Sequence, residues 1–291
     1  MDKQRIAVIG GGAIGGILAA AAHSAGHEVS VCVRTPFERL VVDGAEVPAA
    51  IVTDPQDAPE VDWILLTTKV QDVASAAPWL RGLDNGRAPI VLVQNGVEHE
   101  ESVSGLDLRG PLLPALIYVS AERVRPGQVV RRSPAAMIVP AEGPGERFPE
   151  LLAEIKVSRT ADFRTEAWRK MLMNLAANPI TALTLRRLDV LHEPGVPELA
   201  AAVLGEAVEV ARAEGTTLTQ ADADKLINAY NSGGDPENGT SMLYDRLAGL
   251  PTEHEHITGA LVRAAARHGI PTPQNQTLLT LLRAIRPSQV H

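Results

Sequence analysis

The chain reads as a doubly wound α/β domain followed by an all-helical domain, and three observations carry that reading. Up to about Asp162, short and continuously apolar runs alternate with turns and helical stretches. From Thr165 onward strand signals vanish and only helical patterning remains. A glycine-rich string, Gly10-Gly11-Gly12-Ala13-Ile14-Gly15, joins the first apolar run to the first helix. Uninterrupted apolar runs of four to eight residues suit strands buried on both faces, as in a parallel sheet covered by helices. The expected division is residues 1–162 and residues 163–291.

The first strand is Ile6-Ala7-Val8-Ile9, and a small-residue helix follows from Ile17 to Ala25. Between them the spacing is G-x-G-x-x-G, which in a strand–turn–helix context marks a dinucleotide site of the Rossmann type. Gly10 permits the tight turn, Gly12 lets the backbone approach a pyrophosphate, and Gly15 lets helix and strand pack closely. The free N–H groups and the dipole at the helix start, along Gly10 to Gly15 with Gly11, Ala13 and Ile14 between, then hold phosphate charge.

The second strand, Glu28 to Val33, ends in Arg34, nineteen residues after Gly15. An NAD site would place Asp or Glu there to accept from the ribose hydroxyls. A guanidinium pairs instead with a 2′-phosphate, so Arg34 predicts NADP (NADPH). Next come the runs Trp63 to Thr68 and Ile90 to Gln94, then Leu112 to Val119, Val129 to Arg131 and Ala136 to Val139. The last of these, punctuated by Pro126-Gly127 and Pro134, are expected as antiparallel edge strands.

The helices that follow are expected at Glu166 to Leu185, Pro197 to Glu214 and Ala221 to Asn231, then from about Thr240 to Ala248. Another opens at Thr252, with a capping box to Glu255, and ends at His268-Gly269; the last follows Thr272-Pro273. The Gly/Asn-rich stretch from Asn231 to Gly239 reads as a loop. There is no internal repeat and no low-complexity segment.

With 291 residues and 45% hydrophobic content, the chain can bury two sizeable cores. A net charge of −8 disfavours nucleic acid or an anionic membrane as partner. The local cluster Arg123, Arg125, Arg131 and Arg132 reads as solvated strand edges. The single Cys32 lies in a strand pattern, so no disulfide framework exists, in keeping with a reducing cytoplasm. No transmembrane span is present, and the apolar stretch Ile14 to Ala25 follows a strand and contains His23 and Ser24, unlike a signal peptide.

Candidate chemistry lies mostly in the helical half. Lys170, Asn174 and Asn178 are spaced i, i+4, i+8, one stripe drifting about 40° per step. Apolar flanks (Trp168, Met171, Leu172, Leu175, Ala176, Ile180) mark the helix for burial, and Pro179 breaks the ladder beside Asn178. Buried ammonium and amide groups cost several kcal/mol unless partnered, so a site-facing stripe is preferred over a solvated face. Gln94-Asn95-Gly96 sits at the C-terminal end of a strand, where open α/β sheets bind ligands, though an ordinary Asn-Gly turn is the alternative. Glu253 is expected at the first position of the helix capped by Thr252, where the dipole favours a carboxylate, with Glu255 as a cap. Ser241 either bonds a ligand or caps its helix. A metal site is rejected: His254 and His256, two apart on a helix, point roughly 160° away from each other, and no H-E-x-x-H or C-x-x-C occurs. The G-x-S-x-G elbow of a nucleophilic serine is also missing.

Taken together these segments resemble the ketopantoate reductase (2-dehydropantoate 2-reductase) family over nearly the whole chain. The carrying residues are Gly10 to Gly15 with Arg34, Thr68-Lys69, Gln94-Asn95-Gly96, and Trp168-Arg169-Lys170 through Asn174 to Asn178-Pro179-Ile180-Thr181-Ala182. Thr240-Ser241-Met242-Leu243-Tyr244-Asp245 and Pro251-Thr252-Glu253 complete them. The resemblance implies a Rossmann domain plus a helical domain like that of 6-phosphogluconate dehydrogenase, with the active site in the cleft. It implies Lys170 as general acid, and Asn95 bonding both substrate and nicotinamide-side ribose. Lys69 and Arg34 would serve NADP, while Asn174, Asn178 and Ser241 would hold the substrate's carboxylate and hydroxyl groups. Glu253 would join Lys170 in catalysis at the cofactor–substrate junction. One departure is Leu188, which stands near the place where the family often carries a further substrate-binding Asn.

The reaction so implied is hydride transfer from NADPH to the carbonyl carbon of a 2-oxo acid, as in pantothenate biosynthesis, with Lys170 protonating the alkoxide. A small-molecule 2-oxo acid is then the partner, in a cytoplasmic enzyme for which a homodimer is one possible assembly. Two other readings stay open: a related dehydrogenase of another oxo or imino acid, and a non-catalytic NADP-sensing protein.

Overall fold

The computed structural model describes residues 2–233 and 238–285. Two compact units divide the chain: Met1–Gln94 with His99–Phe163, and Asn95–Glu98 with Arg164–His291.

The first unit is built on six parallel strands. β1 (Arg5–Ile9) leads through α1 (Ala13–Ser24) to β2 (Glu28–Cys32). A hairpin of β3 (Leu40–Val42) and β4 (Ala45–Val47) precedes β5 (Ala50–Val52), and β6 (Trp63–Leu66), α2 (Val73–Leu83), β7 (Ile90–Leu92) and β8 (Leu112–Pro114) follow. Their order in the sheet is β5-β2-β1-β6-β7-β8, all parallel. The order reverses between β1 and β6, the switch point beyond whose strand ends such sheets bind ligands. Alternation explains the burial on both faces. Ile6, Val8, Trp63 and Leu65 share one core with α1, while Ala7, Ile9, Ile64 and Leu66 share another with α2.

The later runs depart from the expectation of antiparallel edge strands on this sheet. β9 (Leu116–Tyr118) separates from β8 at Ala115 and pairs antiparallel with β12 (Ala136–Pro140). β12 also pairs in parallel with β13 (Lys156–Thr160), whose sequence gave no strand signal. β10 (Ala121–Arg125) and β11 (Gln128–Arg131) join β3 and β4 in a separate sheet. That sheet packs on α1: a Cβ on Gly16 would meet Val129 Cγ2 at 2.7 Å. A register formed with β3 cannot be read from the β10–β11 hairpin alone. Arg123 and Arg125 are exposed as expected, whereas half-buried Arg131 pairs with Asp43 and Glu154.

The second unit is helical: α3 (Phe163–Thr184, its first residue in the other unit), α4 (Val196–Ala213), α5 (Gln220–Gly233), α6 (Ser241–Leu247), α7 (Thr258–His268) and α8 (Pro273–Ala284). Trp168, Met171, Leu172, Leu175 and Ala176 of α3 pack with α4, α7 and α8 in one core. Glu206 of α4 accepts from the backbone N–H of Gln274 and Asn275, an anion at the positive start of α8. Part of the Asn231 to Gly239 stretch lies outside the described residues; Asn231 to Gly233 belong to α5 rather than to a loop.

One helix start differs. The capping box from Thr252 to Glu255 does not form, and α7 begins six residues later, at Thr258. The Thr252 hydroxyl instead meets His254 Nδ1 at 2.7 Å, and Glu255 binds Arg283 through two hydrogen bonds of 2.6 and 2.8 Å. Long-range ion pairing outcompeted a local cap.

Candidate functional site

At the end of β1 the chain turns with Gly10 at φ +109°, a conformation that favours glycine. Thr67, just past β6, pins this turn by donating to the carbonyls of Ile9 (2.9 Å) and Gly10 (3.0 Å). A Cβ on Gly15 would stand 1.9 Å from the Gly10 carbonyl oxygen, so helix and turn require glycine there. Gly12 caps α1, and a Cβ on it would meet nothing within 4 Å. The helix begins at Ala13, earlier than the expected Ile17, so the N–H groups of Ala13 and Ile14 belong to its open first turn. Gly11 is closed off by Val33 Cγ1 and Phe37 Cε1, at 2.8 and 2.9 Å from an added Cβ. Arg34 is exposed one residue past Val33, and Lys69 is half-buried beyond β6. The Thr68 hydroxyl, in the Thr68-Lys69 pair that carries part of the resemblance, is buried without a hydrogen-bond partner beside this turn. The open face at Gly12, the helix start and the exposed cation of Arg34 could hold the phosphates of a dinucleotide.

In the second unit Lys170 and Asn178 of the stripe on α3 are buried and Asn174 is half-buried, in keeping with the apolar flanks. Lys170 is 9% exposed and Asn178 4%. Lys170 Nζ donates to Asn95 Oδ1 at 3.0 Å, and Asn95 Nδ2 donates to Glu253 Oε2 at 3.0 Å. Only this orientation of the amide serves both neighbours, since an ammonium needs an acceptor and a carboxylate needs a donor. Burial pushes the Lys170 ammonium down to about 8, against the opposing pull of the Glu253 charge. The Nδ2 groups of Asn174 and Asn178 are buried with no hydrogen-bond partner. Unmet buried donors cost about 1–3 kcal/mol each, and on the same helix stripe as a lysine they suit an oxygen-rich anion.

Glu253 is buried, but not at a helix start as expected. It lies five residues before α7, in a turn where its carbonyl accepts from the N–H groups of His256 and Ile257. His254 and His256 share that turn rather than a helix, and burial lowers the pKa of both. Ser241 is the exposed first residue of α6, and Thr240 rather than Ser241 caps it, accepting from the Leu243 N–H at 3.2 Å. Leu188 packs with Ala177, Ile180 and Val190 in a small apolar cluster. Among the described residues no group of His, Cys, Asp and Glu is arranged to hold a metal, and no helix is long and apolar enough to cross a membrane. Sequence reading missed Glu98, which grips Arg263 across 165 residues. Nothing local marks such a pair.

Residues 6–143 match the family described as ketopantoate reductase PanE/ApbA, and residues 162–286 match its C-terminal domain. The chain belongs to the ketopantoate reductase family. It is 38% identical over 286 residues to the 2-dehydropantoate 2-reductase of Caulobacter vibrioides, covering 96% of this chain and 98% of that protein. The PanE/ApbA family ketopantoate reductase of Ralstonia eutropha JMP134 superposes with a TM-score of 0.88 at 28% identity, over 99% of this chain and 100% of that one. A dimeric ketopantoate reductase from Staphylococcus aureus gives 0.84 at 26% identity, over 96% and 98%. Membership in this family agrees with a Rossmann-type sheet followed by a helical domain.

Proposed function

We propose that this ketopantoate reductase family member reduces 2-dehydropantoate to pantoate with NADPH, Lys170 serving as general acid. The observation that carries the reading is the buried chain Lys170–Asn95–Glu253, with the ammonium brought to about 8. A proton donor works best when its pKa lies near the operating pH, and burial supplies that shift. When bound, NADPH supplies the hydride to the carbonyl carbon.

Lys170 hydrogen-bonds the carbonyl oxygen and gives up its proton as alkoxide character develops there. Asn95 fixes the ammonium, and Glu253 fixes Asn95. The unpartnered amides of Asn174 and Asn178 receive the substrate's carboxylate and hydroxyl oxygens, with Ser241 nearby in sequence to the α6 cap. In the first unit the Gly10 to Gly15 turn holds the pyrophosphate, while Arg34 and Lys69 take the 2′-phosphate. Residues 1–162 then act as the NADP-binding domain and 163–291 as the substrate domain, in a cytoplasmic enzyme. A non-catalytic NADP sensor would have no use for a buried lysine of lowered pKa.

The test is NADPH oxidation followed by absorbance with 2-dehydropantoate beside a panel of other 2-oxo and imino acids. The reading predicts the highest kcat/KM for 2-dehydropantoate. A better substrate elsewhere in the panel would displace ketopantoate, and turnover of none would remove the enzyme reading.

A further inference from the structure

The short segment Asn95–Glu98 counts with the helical unit, and each of its four residues is held there by a different contact. Asn95 bonds Lys170 and Glu253. Gly96, at φ +99°, lies so close to the next turn that a Cβ would stand 2.7 Å from the His256 carbonyl oxygen. Val97 packs against the helical core. Glu98 holds Arg263 of α7 through two contacts, Nη2 to Oε2 at 2.6 Å and Nε to Oε1 at 3.2 Å. Arg263 Nη2 also donates to the Glu255 carbonyl at 3.1 Å, and Arg283 of α8 binds the Glu255 carboxylate.

We infer that Glu98 and Arg263 form a positioning pair, which fixes the 95–98 turn so that Asn95 stays aimed at Lys170. Neither residue touches Lys170 by any contact described above; they act through the Asn95 amide. The inference rests on Lys170 being the proton donor. Partly exposed ion pairs add little to stability, so this pair's effect is expected in geometry rather than in folding. A bidentate Arg–carboxylate contact specifies orientation well, and a displacement of about 1 Å at a reacting group costs about 10²-fold.

The test compares Glu98→Ala, Arg263→Ala, their double variant and Glu98→Gln, with two readouts. One is kcat with the preferred 2-oxo acid, beside NADPH affinity. The other is the titration midpoint of Lys170, from pH-dependent acylation of its amine read by mass spectrometry. Glu98→Ala is expected to lower kcat at least about tenfold with NADPH affinity and thermal midpoint nearly unchanged. Its Lys170 midpoint should rise from about 8 towards 10.5, since burial outweighs the Glu253 charge and a loosened turn admits water. Glu98→Gln keeps an acceptor for Arg263 and should stay near wild type. The double variant should be no worse than either single one. An unchanged midpoint with kcat within about twofold would overturn the pair, as would single effects that multiply in the double variant. Should wild type turn over no acid, the functional reading fails while the acylation midpoint still decides the positioning pair.

Discussion

Lys170 donates to Asn95 across 3.0 Å, although 75 residues separate them in the chain. The same amide donates to Glu253, 158 residues further on. An ammonium and a carboxylate are thereby joined through a neutral amide that hydrogen-bonds each. Burial lowers the proton affinity of the lysine, and the nearby Glu253 charge works against that effect. The predictions below follow from this relationship and from the glycine turn.

Lys170→Ala is expected to lower kcat by about 10²–10⁴ while NADPH affinity stays nearly constant, since a general acid acts on the chemical step. Steady-state kinetics with the preferred 2-oxo acid, beside a fluorescence titration of NADPH, measure the two effects separately. A kcat within about threefold of wild type would move the proton donor elsewhere.

The pH dependence has two parts with opposite consequences. With Lys170 as the proposed proton donor, kcat should fall as pH rises through about 8. Stability should behave the other way. Below about 8 folded and unfolded chains both carry the proton, and the full cost of burying it is present. Between about 8 and 10.5 the folded protein releases it first, so that cost fades. The shift corresponds to about 3 kcal/mol. Denaturant unfolding of wild type and Lys170→Met should therefore differ at pH 7 in favour of the variant and converge by pH 10.5. A difference independent of pH would contradict the lowered pKa.

Two glycines in the same turn should separate folding from cofactor binding. Gly15→Ala sets a methyl 1.9 Å from the Gly10 carbonyl oxygen and should lower the thermal midpoint clearly. Gly12→Ala meets nothing within 4 Å, so the fold should tolerate it while NADPH affinity falls. Calorimetry and NADPH titration of both variants provide the check. Equal NADPH affinity in Gly12→Ala and wild type would detach this turn from the pyrophosphate.

Arg34→Ala should erode a preference for NADPH over NADH of at least about tenfold, because a charge-assisted pair with phosphate contributes roughly 1.5–3 kcal/mol. The ratio of kcat/KM for the two cofactors in wild type and variant reports it. Equal values in wild type would assign the 2′-phosphate no role.

The glycine turn, the parallel strands β1, β2, β6 and β7 and the stripe on α3 were legible because each is a short-range pattern, whereas three-residue β5 at the edge of the same sheet was missed. Glycine spacing, apolar runs and helical periodicity express backbone sterics and the burial of one face, which neighbouring residues settle among themselves. The helix expected from Thr252 failed for a related reason. Its capping box is a local signal, but Glu255 finds Arg283 on α8 and Arg263 further along α7, and those charge-assisted contacts won. The runs from Leu116 to Val139 showed their strand character yet not their partners, because pairing β11 with β3 or β12 with β13 is a long-range choice.

By itself the sequence determined that a glycine turn would open a helix after β1, and that Lys170, Asn174 and Asn178 would share one stripe of a largely buried helix. Only the tertiary structure decided what that face meets. It brought Asn95 and Glu253 to Lys170, left two amide donors unmet, and lowered the lysine's proton affinity. A pKa shift by burial depends on water being excluded from all sides at once. No local pattern encodes that, because the excluding groups come from segments far apart in the chain.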